Sequence, residues 1–288
     1  MRHDAHLVTE SWADYELLDS GANEKLERFG EVIVARPDTQ AVWAKAKPEL
    51  WKNAHAHFRA REGGKGAWES KKSMPESWEM AFGDVRFNAK LTSFKHTGVF
   101  PEQAPNWNWT AEQIKKLGPP NVLNLFGYTG IASLVAAHAG AYVTHVDASK
   151  QSLDWAHDNA RLSGIAQDKI RWIPDDALAF VKREARRGTK YEGIILDPPA
   201  FGRGAKGEVW HIEEDLLTLL ENLKDVLSDT PGSFFLLNGY AAGYASRSFA
   251  QAVESVFGPC KGESGELHIK ESSSDRVIPA GIYVRFIR

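Results

Sequence analysis

The stretch that most constrains this chain is an apolar run followed by two glycines and a run of small residues. Residues 122–126 are mostly apolar and have the length of a buried parallel strand. Gly127 and Gly130 bracket a tight turn, and residues 131–139 predict a helix. Glycines in such a turn let backbone approach a ligand closely, and free N–H groups at a helix N-terminus favour electron-rich groups. This order of elements predicts a site for a nucleotide-like ligand.

An acidic residue ends the next predicted strand. That strand covers residues 142–146 and is followed by Asp147, 20 residues after Gly127. An acid at this place can accept hydrogen bonds from ribose hydroxyls. The pattern predicts a nucleoside-cofactor site, and the alternative on these residues alone is an ordinary βαβ unit with a surface acid.

Strands and helices continue to alternate as far as the end of the chain. Strands are predicted at residues 170–173, 191–196, 233–237, 267–270 and 282–287, and helices at 149–163, 177–187, 211–227 and 244–257. Alternation of this kind predicts a doubly wound α/β sheet with right-handed crossovers. The last two strands have only a loop between them, which indicates an antiparallel hairpin added to parallel strands. Dehydrogenase-type dinucleotide folds do not need that ending.

The first 90 residues carry no nucleotide fingerprint and predict a small α+β domain. Short strands are expected within residues 12–36, a helix within 40–60, a flexible basic loop at 62–76 and a hairpin at 79–89. Residues 95–109 contain aromatics, glycine and prolines, and predict an irregular connection to the next domain.

Two further acidic motifs follow later strands. Asp176 comes after the third strand, where it could accept the amine of an adenine ring or cap the following helix. The segment Asp197-Pro198-Pro199-Ala200-Phe201 ends the fourth strand. Its prolines remove two N–H donors and leave carbonyls and a carboxylate for a target that donates hydrogen bonds, such as a ring amine. Phe201 could stack on that target, and the alternative is a rigid loop with a buried aromatic.

Together these motifs resemble the class I S-adenosylmethionine-dependent methyltransferases, and among them the 23S ribosomal RNA methyltransferases of the RlmI and RlmK type. The matching segments lie at residues 82–89, 95–100, 124–130, 146–150, 176–177 and 197–201. The resemblance implies an α/β fold with a Rossmann-like, seven-stranded sheet whose last strand is antiparallel. It places the methyltransferase domain at residues 91–288, after a small N-terminal α+β domain at residues 1–90 with a possible role in substrate recognition.

The resemblance also implies S-adenosyl-L-methionine as cofactor and assigns roles to individual residues. Phe126, Gly127 and Gly130 would lie at the methionine end, Asp147 would hold the ribose, and residues 97–100 would cover the cofactor. The expected cofactor-binding residues are Thr97, Gly98, Phe100, Phe126, Gly127, Tyr128, Thr129, Gly130, Asp147, Ala148, Ser149, Asp176, Ala177 and Asp197. The expected catalytic residues are Asp197, Pro198, Pro199 and Phe201.

Two departures from the family narrow the reaction. The N-terminal region does not resemble the PUA RNA-binding module of some members, and no cysteine stands near Asp197 or after Leu237, where 5-methylcytosine members place their nucleophile. Cys260, the single cysteine, follows a predicted helix. Carbon methylation of cytosine needs a covalent adduct, so direct transfer to a nitrogen is favoured over transfer to carbon, with an oxygen as the less favoured alternative.

The acceptor itself stays open at this stage. The resemblance implies structured RNA, specifically ribosomal RNA, and the alternatives are a protein or a small-molecule acceptor. Two other functions also remain: a nicotinamide-dependent oxidoreductase and a non-catalytic cofactor-binding scaffold. A formal net charge of −3 gives no general attraction to nucleic acid.

With one cysteine, no internal disulfide or cysteine-based metal cluster is possible, and no metal is expected. No apolar run suits a membrane span or a secretory signal, so a cytoplasmic protein is expected.

Overall fold

The structure, a computed structural model, describes residues 1–60, 66–204, 207–240 and 243–288. The strands are β1 (Arg2–Thr9), β2 (Tyr15–Gly21), β3 (Glu24–Phe29), β4 (Val32–Pro37), β5 (Ala56–Ala60), β6 (Gly66–Ser70), β7 (Trp78–Phe82), β8 (Val85–Ala89), β9 (Asn121–Leu125), β10 (Tyr142–Asp147), β11 (Ile170–Pro174), β12 (Gly193–Leu196), β13 (Phe201–Arg203), β14 (Val209–His211), β15 (Phe234–Gly239), β16 (Lys261–Lys270) and β17 (Val277–Ile287). The α-helices are α1 (Ala104–Leu117), α2 (Ile131–His138), α3 (Lys150–Leu162), α4 (Ala177–Arg187), α5 (Ile212–Val226) and α6 (Ser246–Phe257).

The chain divides into two compact units, each made of more than one segment. The first unit contains residues 1–7, 103–267 and 281–288, and the second contains residues 8–102 and 268–280. The sequence suggested one boundary at residue 90. Instead, the second unit also takes residues 91–102 and a segment from near the C-terminus.

The first unit is built on a sheet with the order β1-β16-β17-β15-β12-β9-β10-β11. The pairs of β12 with β15 and β9, and of β10 with β9 and β11, are parallel. β17 pairs antiparallel with β15, from Phe234 opposite Ile287 to Gly239 opposite Ile282. The antiparallel final strand is therefore confirmed, while the sheet has eight strands instead of seven because β1, expected in the N-terminal domain, adds to its edge.

Apolar side chains explain why β12 and β15 lie in the middle of the sheet. β12 and β15 are buried along their whole length, as expected for parallel strands covered by helices on both faces. On α5, one face is buried and carries Leu216, Leu219, Leu220, Leu223 and Val226.

Every helix in the described ranges is too short or too polar to cross a membrane.

The second unit contains a five-stranded sheet with the order β2-β3-β4-β5-β6 and a separate β7–β8 hairpin. The hairpin expected at residues 79–89 is confirmed. The helix expected at residues 40–60 is wrong: only a 3₁₀ turn, Leu50–Asn53, precedes β5. The loop expected at residues 62–76 is wrong for residues 66–70, which form β6 and pair with β5. Residues 71–76 lie outside helices and strands as expected, and residues 62–65 lie outside the described residues.

A buried polar cluster ties the segment at residues 268–280 into the second unit. Asp19 is fully buried and accepts hydrogen bonds from the Trp51 indole Nε1 at 2.7 Å and from Arg276 Nη2 at 2.9 Å. Ser20 donates to Glu271, which in turn pairs with Arg276. Buried charges need such partners, so this segment completes the unit.

Candidate functional site

The parallel register brings the predicted site segments of the first unit to one edge of its sheet. Leu125 lies opposite both Val146 and Leu196, and Asp147 lies opposite Pro174. The segments that follow β9, β10, β11 and β12 therefore emerge together at the carboxyl ends of parallel strands. Ligands of open α/β sheets bind at this edge.

The turn after β9 has an unusual backbone. Phe126 and Tyr128 have positive φ angles of 56° and 49°, and Gly130, the residue before α2, has a φ of 86°. Such angles are uncommon for residues with a side chain and persist when the surroundings fix them. Here the backbone N–H of Gly127 donates to the Val146 carbonyl at 3.1 Å, and that of Gly130 donates to the Gly127 carbonyl at 3.0 Å.

The two glycines of this turn are required by the protein's own packing. A Cβ on Gly127 would lie 2.3 Å from Cε1 of His145, and a Cβ on Gly130 would lie 2.9 Å from the Cβ of Ala156. The sequence suggested that glycine lets backbone approach a ligand. The observed reason is that the turn rests directly on β10 and α3.

Beneath the turn lies a buried polar chain that sequence reasoning missed. Asn124 Nδ2 donates to Ser133 Oγ at 2.8 Å, and Ser133 Oγ lies 2.9 Å from His145 Nδ1. Burial, together with nearby His157, lowers the pKa of His145 to about 3, so its ring is neutral. Its Nε2 has no hydrogen-bond partner among the described residues. The only sequence signal was polar residues inside an apolar strand and helix.

Asp147 connects the turn to the start of α3. Its Oδ2 accepts from the Tyr128 N–H and its Oδ1 from the Ser149 N–H, both at 2.8 Å. Burial raises the pKa of Asp147, and the two N–H donors oppose that rise. Burial and the Asp147 charge raise the pKa of Tyr128 to about 12. Each Asp147 oxygen keeps a further lone pair, so the carboxylate can still accept from two hydroxyls.

Asp176 occupies the N-cap of α4. Its Oδ1 accepts from the Ala179 N–H at 2.8 Å, the capping role that the sequence gave as an alternative. The neighbouring Asp175 forms an ion pair with Arg183. One acceptor position of Asp176 is thus committed to the helix, and an adenine amine could use those that remain, above all on Oδ2.

Asp197 follows β12 and is held by a residue that the sequence did not indicate. Gln103, just before α1, donates from Nε2 to Asp197 Oδ2 at 2.5 Å. Burial raises the pKa of Asp197 to about 6, although the Gln103 hydrogen bond lowers it. Residues 104–109 are helical, so the irregular stretch predicted there ends earlier than expected.

The prolines after Asp197 present fewer acceptors than predicted. The Pro199 carbonyl accepts from the Trp210 indole at 2.7 Å, and the Ala200 carbonyl accepts from the Ile212 N–H at 3.1 Å. The ring of Trp210 also lies 5.0 Å from that of Phe126. Trp210, which sequence reasoning missed, therefore links the glycine turn to the proline loop. Phe201 is exposed and starts the hairpin of β13 and β14, contrary to the alternative of a buried aromatic.

The remaining predicted residues lie elsewhere. Thr97, Gly98 and Phe100 belong to the second unit, where Thr97 is buried and its hydroxyl has no hydrogen-bond partner in the described residues. Cys260 follows α6, donates to the Gly258 carbonyl at 3.1 Å, and has a pKa raised by burial. The Arg288 charge lowers the pKa of that thiol, so the two groups are close together. Arg288 follows β17, whose last residue, Ile287, pairs with Phe234 at the amino end of β15. Cys260 therefore lies at the edge of the sheet opposite Asp197.

The sheet is mainly parallel with an antiparallel final strand, it carries a glycine turn after β9, and an acid ends or follows each of β10, β11 and β12. These features define a nucleoside-cofactor fold of the class I methyltransferase type. A family model described as S-adenosylmethionine-dependent methyltransferase matches residues 17–245. The chain belongs to this family, and its cofactor is S-adenosyl-L-methionine.

The relatives found by comparison agree with this assignment. A ribosomal RNA large subunit methyltransferase K/L from Shewanella frigidimarina is 33% identical over 203 residues, covering 69% of this chain and 27% of that protein. One from Pseudomonas aeruginosa is 34% identical over 165 residues, covering 57% and 22%. The chain thus spans about a quarter of the length of these relatives.

Solved structures match over nearly the whole chain. A methyltransferase from Agrobacterium tumefaciens has a TM-score of 0.93 at 39% identity and covers 99% of this chain and 95% of its own. A candidate methyltransferase complexed with SAH has a TM-score of 0.73 at 20% identity, covering 94% and 75%, and supports the fold alone.

Proposed function

We propose that this protein transfers a methyl group from S-adenosyl-L-methionine directly to a base nitrogen of structured RNA, with ribosomal RNA as the first candidate. The observation that carries the proposal is Asp197. It is a partly buried carboxylate at the ligand-binding edge, oriented by Gln103, with no cysteine beside it among the described residues.

The residues at this edge suit the cofactor. Asp147 would hold the ribose, because both of its oxygens are fixed in place and each can accept one more hydrogen bond. The free oxygen of Asp176, with Ala177, would contact the adenine. The methionine end would lie along Phe126, Gly127, Tyr128, Thr129 and Gly130, with Ala148 and Ser149 beside the ribose. The role that the resemblance implies for Thr97, Gly98 and Phe100 of the second unit, covering the cofactor, stays a prediction.

The main contribution of the protein to the reaction would be to orient the methyl acceptor. The cofactor supplies an activated methyl group on a sulfonium, so the protein must align the acceptor with it. With a pKa of about 6, Asp197 is ionised near neutral pH and can accept an N–H from an amino or ring nitrogen. Pro198 and Pro199 stiffen the loop that carries it.

A covalent route through cysteine is disfavoured by position. Cys260 follows α6, a helix that leads away from the carboxyl ends of the parallel strands. Burial also raises its pKa, whereas a nucleophilic cysteine needs a thiolate. Asn238 occupies the place after Leu237 and is buried, with its Oδ1 accepting from Asn106 Nδ2 at 2.7 Å.

RNA as the acceptor class is supported by the names of the relatives, which are ribosomal RNA large subunit methyltransferases. They are about four times longer than the matched region, so the inference to this chain is a proposal. The second unit is a candidate for substrate recognition. Its segment at residues 45–95 holds 11 basic and 6 acidic side chains, a net charge of +5.

The test is incubation with methyl-labelled cofactor and separated pools of ribosomal RNA, transfer RNA, protein and metabolites. We expect label in RNA, on a nitrogen after digestion to nucleosides. Label confined to protein or metabolites would overturn the RNA assignment, and no transfer despite cofactor binding would indicate a scaffold.

A pair of variants tests the direct mechanism. Misplacing an acceptor by about 1 Å can lower the rate on the order of a hundredfold, so Asp197→Ala should lower turnover far more than cofactor affinity. Cys260→Ala should retain activity. The opposite result would restore the covalent carbon-methylation route.

A further inference from the structure

The hairpin that follows the proline loop has two chemically different faces. Phe201 lies opposite His211, Gly202 opposite Trp210, and Arg203 opposite Val209. Because side chains alternate between the faces of a strand, Gly202 and Trp210 share one face. The other four residues share the opposite face.

The first face fixes the hairpin to the active-site loops. Trp210 is only 5% exposed, and its indole donates to the Pro199 carbonyl. A Cβ on Gly202 would lie 3.5 Å from Cγ of Pro199, so the strand packs closely on the proline loop. These contacts with Pro199 therefore fix the hairpin to the loop that carries Asp197.

The second face is exposed, although half of it is apolar. Phe201 is 49% exposed and Val209 is 51% exposed. The His211 ring meets Phe201 edge-on at 5.0 Å between ring centres, and the Arg203 guanidinium lies 5.7 Å from the Phe201 ring centre. This outer face, Phe201, Arg203, Val209 and His211, offers two rings for stacking and a cation for a phosphate.

Three of the exposed large apolar side chains in the described part of the first unit follow the carboxyl ends of β12 and β15: Phe201, Val209 and Tyr240. In the described residues, the exposed large apolar side chains of that unit are Tyr142, Phe201, Val209, Leu217 and Tyr240. Tyr240 follows β15, which runs parallel beside β12, so it lies at the same edge as Asp197. Tyr142 starts β10 at the opposite edge, with Lys169 Nζ 4.0 Å from its ring centre.

We infer that the outer face of the β13–β14 hairpin binds an unstacked nucleotide next to the methyl acceptor, with the base stacked on Phe201, the edge of His211 beside it, and a phosphate at Arg203. The inference rests on the proposed function and adds to it a contact outside the reacting base. Single-stranded RNA is recognised by bases stacked on aromatic or guanidinium planes together with cations along the backbone. An apolar partner protein would match Phe201 and Val209, but it would leave Arg203 without an anionic partner.

Fluorescence anisotropy with two single-stranded probes separates stacking from phosphate contact. One probe is an oligouridylate of about ten nucleotides, and the other has the same backbone with abasic sites. Phe201→Ala should weaken binding of the oligouridylate about fivefold or more and leave abasic binding unchanged. Phe201→Trp should restore it.

Arg203→Gln should weaken binding of both probes and reduce the slope of log affinity against log salt by about 0.7, the value for one phosphate on a single strand. Tyr142→Ala and Arg161→Gln are matched controls, since each removes an exposed ring or guanidinium from elsewhere in the same unit. Unchanged cofactor affinity in all five variants would show that the fold is intact.

The possible outcomes distinguish this inference from the proposed function. If RNA accepts label but Phe201→Ala binds the oligouridylate like the unaltered protein, only the hairpin inference fails. If Phe201→Ala affects both probes equally, stacking is refuted. If the unaltered protein binds neither probe and labels protein instead, both proposals fail.

Discussion

Replacing Gly127 with alanine should disable the cofactor site without touching a residue expected to react. The added Cβ would lie 2.3, 2.6 and 2.8 Å from three atoms of the His145 ring. That ring is fully buried, hydrogen-bonded to Ser133 and in contact with the Trp172 ring at 4.8 Å between centres. It cannot move aside, so the turn must move outward and draw the Tyr128 N–H away from Asp147.

The size of the effect follows from the cost of overpacking. Inserting a methyl group into a well-packed core costs about 1–3 kcal/mol. A bound cofactor would have to restore the strained turn, so affinity should fall by that amount, about 5- to 150-fold. The φ of Gly127 lies outside the left-handed region, so alanine adds no backbone strain there.

Calorimetric titration with S-adenosyl-L-methionine measures the loss, and removing the obstructing ring tests its cause. Gly127→Ala combined with His145→Ala should bind more tightly than Gly127→Ala alone, because the methyl then enters the vacated space. Gly202→Ala is the matched control for cofactor affinity, since its Cβ would meet nothing nearer than 3.5 Å. A double variant as weak as the sum of both single losses would refute the reasoning.

Three further outcomes are expected. Asp147→Ala should weaken cofactor binding by one to two decades, because it removes charge-assisted hydrogen bonds of about 1.5–3 kcal/mol. Asp154 is an exposed acid on α3, so Asp154→Ala should leave the affinity unchanged. Equal affinities of the two variants by calorimetry would place the ribose elsewhere. Because the ionised Asp197 carboxylate is a stronger acceptor than the protonated acid and its pKa is about 6, kcat/KM should fall as pH drops below about 6. This acid limb should vanish in Asp197→Asn, whose amide does not titrate. Gln103→Leu removes a hydrogen bond that lowers the same pKa, so its acid limb should move to higher pH; a shift to lower pH would contradict the assignment.

The sequence was most informative where one local pattern determines one element. The β9 run, the glycine turn and the acid after β10 are close in sequence and were recognised from spacing alone. Helix α4 was predicted with the residues that the structure gives, because its start is marked by the Asp176 cap and its end by Gly188.

Contacts between distant residues could not be predicted in this way. Gln103 and Asp197 are 94 residues apart, and no local pattern links an amide to that carboxylate. Residues 40–60 contain helix-compatible residues, yet pairing of β5 with β4 and β6 makes part of them a strand. Trp210 was indistinguishable from an ordinary core aromatic until its contacts with Pro199 and Phe126 were visible.

The discontinuous make-up of the second unit decides how it can be studied by itself. A fragment cut after residue 102 would lack Glu271 and Arg276, which pair with one another and bind Ser20 and Asp19. The fully buried Asp19 carboxylate would then lose its cationic partner, a strongly destabilising change. A truncation series would therefore report misfolding as loss of whatever function the unit has. A faithful fragment joins residues 8–102 to residues 268–280 through a flexible linker and keeps that carboxylate paired.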